Sequence, residues 1–354
     1  MALGLLLMHA PSPDHVRPPE TSRPRYHWAL HRFACFCAGS VLFLICIGGL
    51  VTSHEAGMSV PDWPNTYGYN MFLFPWEDWV GNIFFEHSHR LVAFAVSTLS
   101  CVLAIWLCFQ ERIWLRWMGI VVPIFFALEA TLGGLRVVLS EDQLGIFHGC
   151  LAQLLLVSVS LIALFTSRWW IETDTGFAPP KWPGRTLIIC GLIFCQLMLG
   201  ATMRHEHAGL SISDFPLAYG QVWPKTDPAS VAEYNAERFR QDAKAKATSA
   251  LYINIQMAHR VGAVLITVAI LAAAAAMWLA PGTAPILRRW SAVWVFLVFL
   301  QFALGAFTIW TNKAADVATT HVAVGALTLV LGVLLTAMSW RLQSQAKLAK
   351  KEPA

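Results

Sequence analysis

Charge is what this sequence has least of. Asp, Glu, Lys and Arg make up 13% of the 354 residues and hydrophobic residues 56%, whereas soluble domains carry about 25% charge. With a mean hydropathy of +0.55, the composition excludes an ordinary soluble domain and indicates an integral membrane protein. The formal net charge of +4 is too small to suggest a nucleic-acid partner. No Cys-x-x-Cys occurs, and all eight cysteines (Cys35, Cys37, Cys46, Cys101, Cys108, Cys150, Cys190 and Cys195) fall inside apolar runs. That excludes a zinc ribbon and a disulfide framework and leaves small buried hydrophobes. The short apolar run Ala2 to Met8 has no basic leader, and a proline-rich segment of mixed charge follows it. A cleaved signal peptide is therefore not expected, and the lack of an Arg/Ser-rich, acid-poor leader favours a bacterial plasma (inner) membrane over a mitochondrial one.

What is present is a set of long apolar runs. A helix needs about 20 mostly apolar residues to cross a bilayer, and eight segments qualify: 33–52, 86–109, 117–139, 146–167, 186–204, 253–279, 290–310 and 318–340. Basic residues flank them unevenly. Arg23, Arg25 and Arg32 precede the first run, Arg112 and Arg116 follow the second, and Arg168, Lys181 and Arg185 follow the fourth. Arg288 and Arg289 follow the sixth, and Arg341, Lys347, Lys350 and Lys351 follow the eighth. All lie on one side of an eight-span topology, so both termini are expected in the cytoplasm. The other side carries two long loops, 53–85 and 205–252; in the second, "AEYNAERFRQDAKAKA" has the composition of a surface helix.

The two long loops resemble each other. "HEAGMSVPDWPNTYG" (54–68) aligns with "EHAGLSISDFPLAYG" (206–220), pairing Gly57 with Gly209, Asp62 with Asp214 and Tyr67 with Tyr219 at an offset of 152. "SHRLVAF" (88–94) then pairs with "AHRVGAV" (258–264) at an offset of 170, "LGG" (132–134) with "LGA" (304–306) at 172, and His148 with His321 at 173. An insertion of about 18 residues in the second loop accounts for the jump from 152 to 170. The chain therefore reads as an all-α membrane protein of two four-helix bundles in parallel repeat, related by an axis along the membrane normal. The expected division is a cytoplasmic segment 1–32, an N-terminal bundle 33–167, a linker 168–185, a C-terminal bundle 186–340 containing the long loop 205–252, and a tail 341–354.

Against this apolar background the histidines stand out. His89, His148, His259 and His321 each open an even-numbered span near its outer end. Two imidazoles facing across a bundle core suit a bis-histidine haem iron, whereas two per half leave a zinc site short of ligands. Three residues before His89 stands Glu86; three before His259 stands Gln256. Each shares a helix face with its histidine. A carboxylate can exchange protons and an amide cannot, so chemistry is expected in the first half and electron transfer in the second. Arg90 and Arg260 follow their histidines and are candidate contacts for haem propionates or lipid headgroups. His87 is expected at the membrane interface. Glu129 and Arg136, seven residues apart in the third span, are too distant for a direct pair, and His205-x-His207 lacks further metal ligands. Trp63 and Phe215 of the matched loops are available to cover a haem edge, and structural packing is the expected role for both.

Taken together, "GGLVTSHEAGMSVPDWP" (48–64), Glu-x-x-His-Arg at 86–90, "GLSISDFP" (209–216), Gln-x-x-His-Arg at 256–260, and His148 and His321 resemble the haem A synthase family over about residues 30–340. The resemblance implies an oxidoreductase that converts the C8 methyl group of haem O to the formyl group of haem A for terminal oxidases. It implies that His89 and His148 serve the substrate haem with Glu86 as catalytic carboxylate, and that His259 and His321 ligate a haem b cofactor. The implied partners are haem O, the haem O synthase that supplies it, membrane lipid and an unidentified electron acceptor; a homo-oligomer is left open. Many members carry a cysteine pair in the first outer loop, and residues 53–85 here contain none. Two other readings use the same residues: a di-haem b cytochrome that passes electrons without modifying haem, and a parallel-repeat transporter or assembly scaffold.

Overall fold

A computed structural model describes residues 26–173, 176–179, 181–243 and 245–349. Arg23, Arg25, Lys350 and Lys351, four of the orienting basic residues, lie outside the described residues. The helices are α1 (Trp28–Ser53), α2 (Gly81–Cys108), α3 (Ile113–Val138), α4 (Leu144–Thr166), α5 (Arg168–Glu172), α6 (Trp182–His205), α7 (Pro228–Gln241), α8 (Ala250–Leu279), α9 (Pro285–Trp310) and α10 (Ala315–Ala349). Eight of them, all but the short α5 and α7, are long and apolar enough to cross a membrane. Lipid offers the backbone no hydrogen-bonding partner, so such runs satisfy their amides internally as helices. Each begins a few residues before its expected start, because polar and aromatic flanks such as Trp28, Arg116 and Trp182 join the apolar helix. The inserted stretch of the second outer loop forms α7, with Asp227 capping it by accepting from the Ser230 amide at 3.1 Å.

Helix contacts define two closed rings. In the first, α1 touches α2 and α4, and α3 bridges α2 and α4; in the second, α6 touches α8 and α10, and α9 bridges α8 and α10. The rings meet where α10 packs on α1 and α4, and α4 packs on α6. In its membrane-crossing stretch α10 is 72% buried, against 17–39% for the other seven spans, which makes it the central helix. Ala326 and Val330 of α10 belong to the first ring's core, while Leu329, Leu335 and Met338 belong to the second's. Apolar contact alone drives little association in lipid, so close backbone approach and interhelical hydrogen bonds matter more. Gly332 has no room for a Cβ, which would sit 2.7 Å from Trp294 and 2.8 Å from Cys190. Trp294 donates from Nε1 to the Thr328 carbonyl at 2.9 Å, and Thr336 Oγ1 bonds Thr186 Oγ1 at 2.7 Å. Outward-facing side chains such as Phe36, Phe43, Ile105, Leu265 and Phe296 are exposed, as a lipid-facing surface requires.

Candidate functional site

The two matched outer loops fold by the same local chemistry. Asp62 accepts from the Tyr67 and Gly68 amides at 2.7 and 2.8 Å; Asp214 accepts from the Tyr219 and Gly220 amides at 2.7 and 2.9 Å. The chain turns back at a residue pair with positive φ in each case: Tyr67 (49°) and Gly68 (79°), Tyr219 (52°) and Gly220 (72°). Asp and Asn side chains stabilise such turns by mimicking backbone acceptors. Each tyrosine hydroxyl then donates to a carbonyl eight residues earlier, Ser59 or Ser211. Both loops carry a cis X-Pro bond, at Trp63–Pro64 and Phe215–Pro216.

The first three turns of α2 and of α8 tie these loops down. Arg90 donates to the carbonyls of Asp62, Asn65 and Val60 at 2.6, 2.8 and 3.0 Å; Arg260 donates to those of Asp214 and Leu217 at 2.7 and 2.8 Å. Glu86 is buried, accepts from the Val60 amide at 2.8 Å and pairs with Arg90 at 2.7 Å. Gln256 is buried too; it accepts from the Ile212 amide at 2.6 Å and donates to the Ile212 carbonyl at 3.0 Å. His87, expected at the interface, is instead wholly buried. Its Nδ1 lies 3.1 Å from Thr66 Oγ1, and its ring packs between Phe74 and Trp79 at 5.1 and 4.6 Å. The cause is tertiary: the first outer loop folds over a helix face that α2 alone would leave exposed.

Beneath the loops, His89, His148, His259 and His321 all lie in the first ten residues of their helices α2, α4, α8 and α10. Each imidazole rests on a glycine of the preceding span. A Cβ added to Gly48, Gly133, Gly200 or Gly305 would stand 3.2, 3.1, 3.3 or 3.2 Å from Cε1 of His89, His148, His259 or His321, in that order. A methyl group there would press the ring out of place; glycine lets it lie on the neighbouring backbone. The His89 and His148 rings are perpendicular (89°) with centroids 6.5 Å apart, a separation compatible with one metal atom between them. Nδ1 of His89, His259 and His321 is buried without a partner. Buried polar atoms are normally satisfied, so unpaired ring nitrogens at three of four related positions are a feature that hydrogen bonding within the chain does not account for. These residues fit a bis-histidine haem in each ring.

Two features eluded reading by periodicity. The first is the set of glycine seats, signalled only by glycines recurring at offsets of 152 (48 and 200) and 172 (133 and 305). The second concerns Glu129, whose Oε1 lies 3.2 Å from Nδ1 of His148; the polar residue beside His321 is Gln301. Arg136 pairs not with Glu129 but with Asp142 in the turn after α3, by Nε at 3.1 Å and Nη2 at 2.5 Å. The pair His205-x-His207 splits: His205 lies 3.3 Å from Asp142 Oδ1, and His207 lies 3.8 Å from Glu55. Among the described residues no group of three or more His, Cys, Asp or Glu side chains is placed to hold a metal ion. Trp63 packs on Gly134, and Phe215 against Phe302, Trp310 and Arg260. All eight cysteines are free.

At the outer rim the rings are cross-tied by polar groups. Arg204 of α6 donates to the Gly49 carbonyl at 2.5 Å and to Ser53 Oγ at 2.6 Å on α1. Asp142 bridges Arg136 of the first ring and His205 of the second. Partial burial pushes the Asp142 carboxyl up, but the hydrogen bond and charge of Arg136 and the contact with His205 outweigh it and hold the group below the ordinary aspartate range.

The sequence resembles a family of curated proteins along nearly its whole length. It is 24% identical to the Heme A synthase of Halalkalibacterium halodurans over 335 residues, covering 89% of this chain and 96% of that protein. It is 25% identical to the Heme A synthase of Caulobacter sp. (92% and 97% covered) and 23% identical to that of Lysinibacillus sphaericus (82% and 88% covered). The sequence model of the family described as Cytochrome oxidase assembly protein matches residues 31–333, every one of the eight spans included in whole or in large part. The chain belongs to the cytochrome oxidase assembly protein family.

Proposed function

We infer that this chain is a haem A synthase, an oxidoreductase of the membrane that converts the C8 methyl group of haem O to the formyl group of haem A. The observation that carries the reading is the fourfold histidine-on-glycine seat with its orphaned ring nitrogens, in a chain whose full-length relatives are named Heme A synthase. His89 and His148 hold the substrate haem in the first ring; His259 and His321 hold a haem b in the second. Haem iron, when bound, supplies the redox chemistry. The protein's part is to seat and orient the rings, exclude water and manage protons. Glu86, one helical turn before His89, is the acid–base group of the first site, and the loop clamped by Glu86 and Arg90 closes that site from the outer side. Arg90 and Arg260 spend donors on loop carbonyls; any contact with propionates is made from those anchored positions. The flanking basic residues support a topology with both termini on the cytoplasmic side of a bacterial inner membrane. Haem O comes from the synthase that makes it, and an electron acceptor completes the reaction.

The test is the pigment of the full-length protein purified from membranes, with extracted haems separated chromatographically. Haem b accompanied by haem O, its hydroxylated product or haem A is expected. Haem b alone, even when haem O is supplied, would make the chain a plain di-haem cytochrome. A colourless protein, or a Soret band undiminished in a His259→Ala, His321→Ala double variant, would overturn the haem-ligand assignment.

A further inference from the structure

Four residues before each seat glycine on α3 and α9 stands a second polar residue: Glu129 before Gly133, Gln301 before Gly305. Both pairs obey the offset of 172, so they occupy equivalent places, and i, i+4 spacing puts each on the same helix face as its glycine. One face thus supplies both the floor under an imidazole and a polar group at its edge. In the first ring Glu129 is about nine-tenths buried, and Nδ1 of His148 lies 3.2 Å from both its carbonyl oxygen and its carboxylate Oε1. Its other carboxylate oxygen is buried with no partner, and among the described residues its ion-pair partner is His148. In the second ring Gln301 Nε2 lies 3.4 Å from Nε2 of His321, while Gln301 Oε1 is buried and unpartnered. Burying a carboxylate is expensive unless a compensating charge is near. An iron ligated by His148 would supply such a charge.

We propose that Glu129 is a positioning residue for His148: its carbonyl takes the Nδ1–H, its carboxylate stands at the same ring edge, and the carboxylate makes the iron held there more easily oxidised than the iron held through His321, where Gln301 stands instead. The inference rests on the haem-ligand reading above. A carbonyl accepting from the second nitrogen of a metal-bound imidazole orients the ring, and a carboxylate beside that nitrogen raises its basicity; an amide carries no charge with which to do so. Axial-ligand electronics in turn set haem potentials. The chain would thereby give two similar haem sites different affinities for electrons through one carboxyl-for-amide exchange.

The experiment uses the full-length protein loaded with ferric haem b and titrated potentiometrically by its absorbance. In a His259→Ala, His321→Ala background, which isolates the first site, Glu129→Gln should lower the oxidised-to-reduced ratio at fixed potential about tenfold, an upward midpoint shift of about 59 mV for one electron. In a His148→Ala background, Gln301→Glu should shift the second site downward by a similar amount, and this arm decides the matter if the Glu129 variant fails to fold. Haem retained with midpoints unmoved would overturn the inference and leave the function intact. If His148→Ala releases no pigment from the otherwise wild-type protein, the ligand assignment itself has failed.

Discussion

Val60 and Ile212 hold the same place in the two outer loops, and the residues that anchor them show how the halves diverged. In the second half Gln256 meets both the amide and the carbonyl of Ile212. In the first, Glu86 takes the amide of Val60 and leaves the carbonyl to Arg90, which pairs with Glu86 as well. An amide side chain can donate and accept at once, whereas a carboxylate only accepts and needs a neighbouring cation. The anchoring task alone does not call for a carboxylate, because Gln256 performs it without one. Glu129 and Gln301 repeat the pattern deeper in the membrane. Acid groups are therefore concentrated around one histidine pair and replaced by amides around the other, although the loops, the seats and the helix order match.

The sharpest way to break this comparison is to give the first half the second half's residue. Glu86→Gln should keep the loop anchored, since Gln256 shows the geometry works, and should keep both haems. Loss of a general acid–base group costs typically 10²–10⁴-fold in rate, so haem A formation should fall by about that factor at unchanged pigment content. Normal turnover in Glu86→Gln would reduce Glu86 to a loop clamp. Glu86→Ala tests the clamp itself: removing one partner of a buried ion pair costs about 3–5 kcal/mol, and thermal unfolding should report it.

The glycine seats sharpen the comparison from the other direction, because here the halves are alike. Gly133→Ala and Gly305→Ala each set a methyl 3.1–3.2 Å from an imidazole carbon. Overfilling a packed site costs about 1–3 kcal/mol, so each variant should release haem from its own ring and spare the other. Gly39→Ala on α1 is the control: a Cβ there meets nothing within 4 Å. It should be neutral or stabilising by up to about 1 kcal/mol through helix propensity. Absorbance per protein, with the haem type extracted, separates the two rings.

The number and placement of the spans follow from hydropathy, since lipid leaves a long apolar run no alternative to helix. The four histidines follow from repetition, because matching offsets pick them from the chain's other eight. The long-range contacts do not follow. Nothing in the local pattern of α2 distinguishes His87, beneath a folded loop, from a residue at the water interface; the distinction comes from Thr66, Phe74 and Trp79, packed in from elsewhere. Glu129 is likewise ambiguous along α3, where Arg136 two turns away is too distant to pair with it and the local pattern offers no other partner. The turn at Asp142 and the start of α4 decide the pairing, giving Arg136 an aspartate and Glu129 a histidine. Helix periodicity sorts residues by face, but identifying the neighbour on that face requires the packing of the rings.

Asp142 is another point where the halves differ. At the offsets of 172 and 173 the second half has Ala314 and Ala315, so the bridge from Asp142 to Arg136 and to His205 of α6 has no counterpart there. The carboxyl is partly exposed, which makes the bridge worth little next to the changes above. Its sign is nevertheless fixed. Its folded-state pKa lies below the ordinary value through Arg136 and His205 acting against burial, so the stabilisation is full above the unfolded pKa of about 3.9 and disappears as pH falls through the lower folded pKa. The difference in melting temperature between the protein and Asp142→Asn should then be small and constant from about pH 7 to about pH 5, and should shrink below about pH 4. A difference that instead grows on acidification would mean that Asp142 stays ionised for another reason than this bridge. In that case the asymmetry between the halves would end at their membrane-buried carboxylates and not extend to the rim where the rings are tied together.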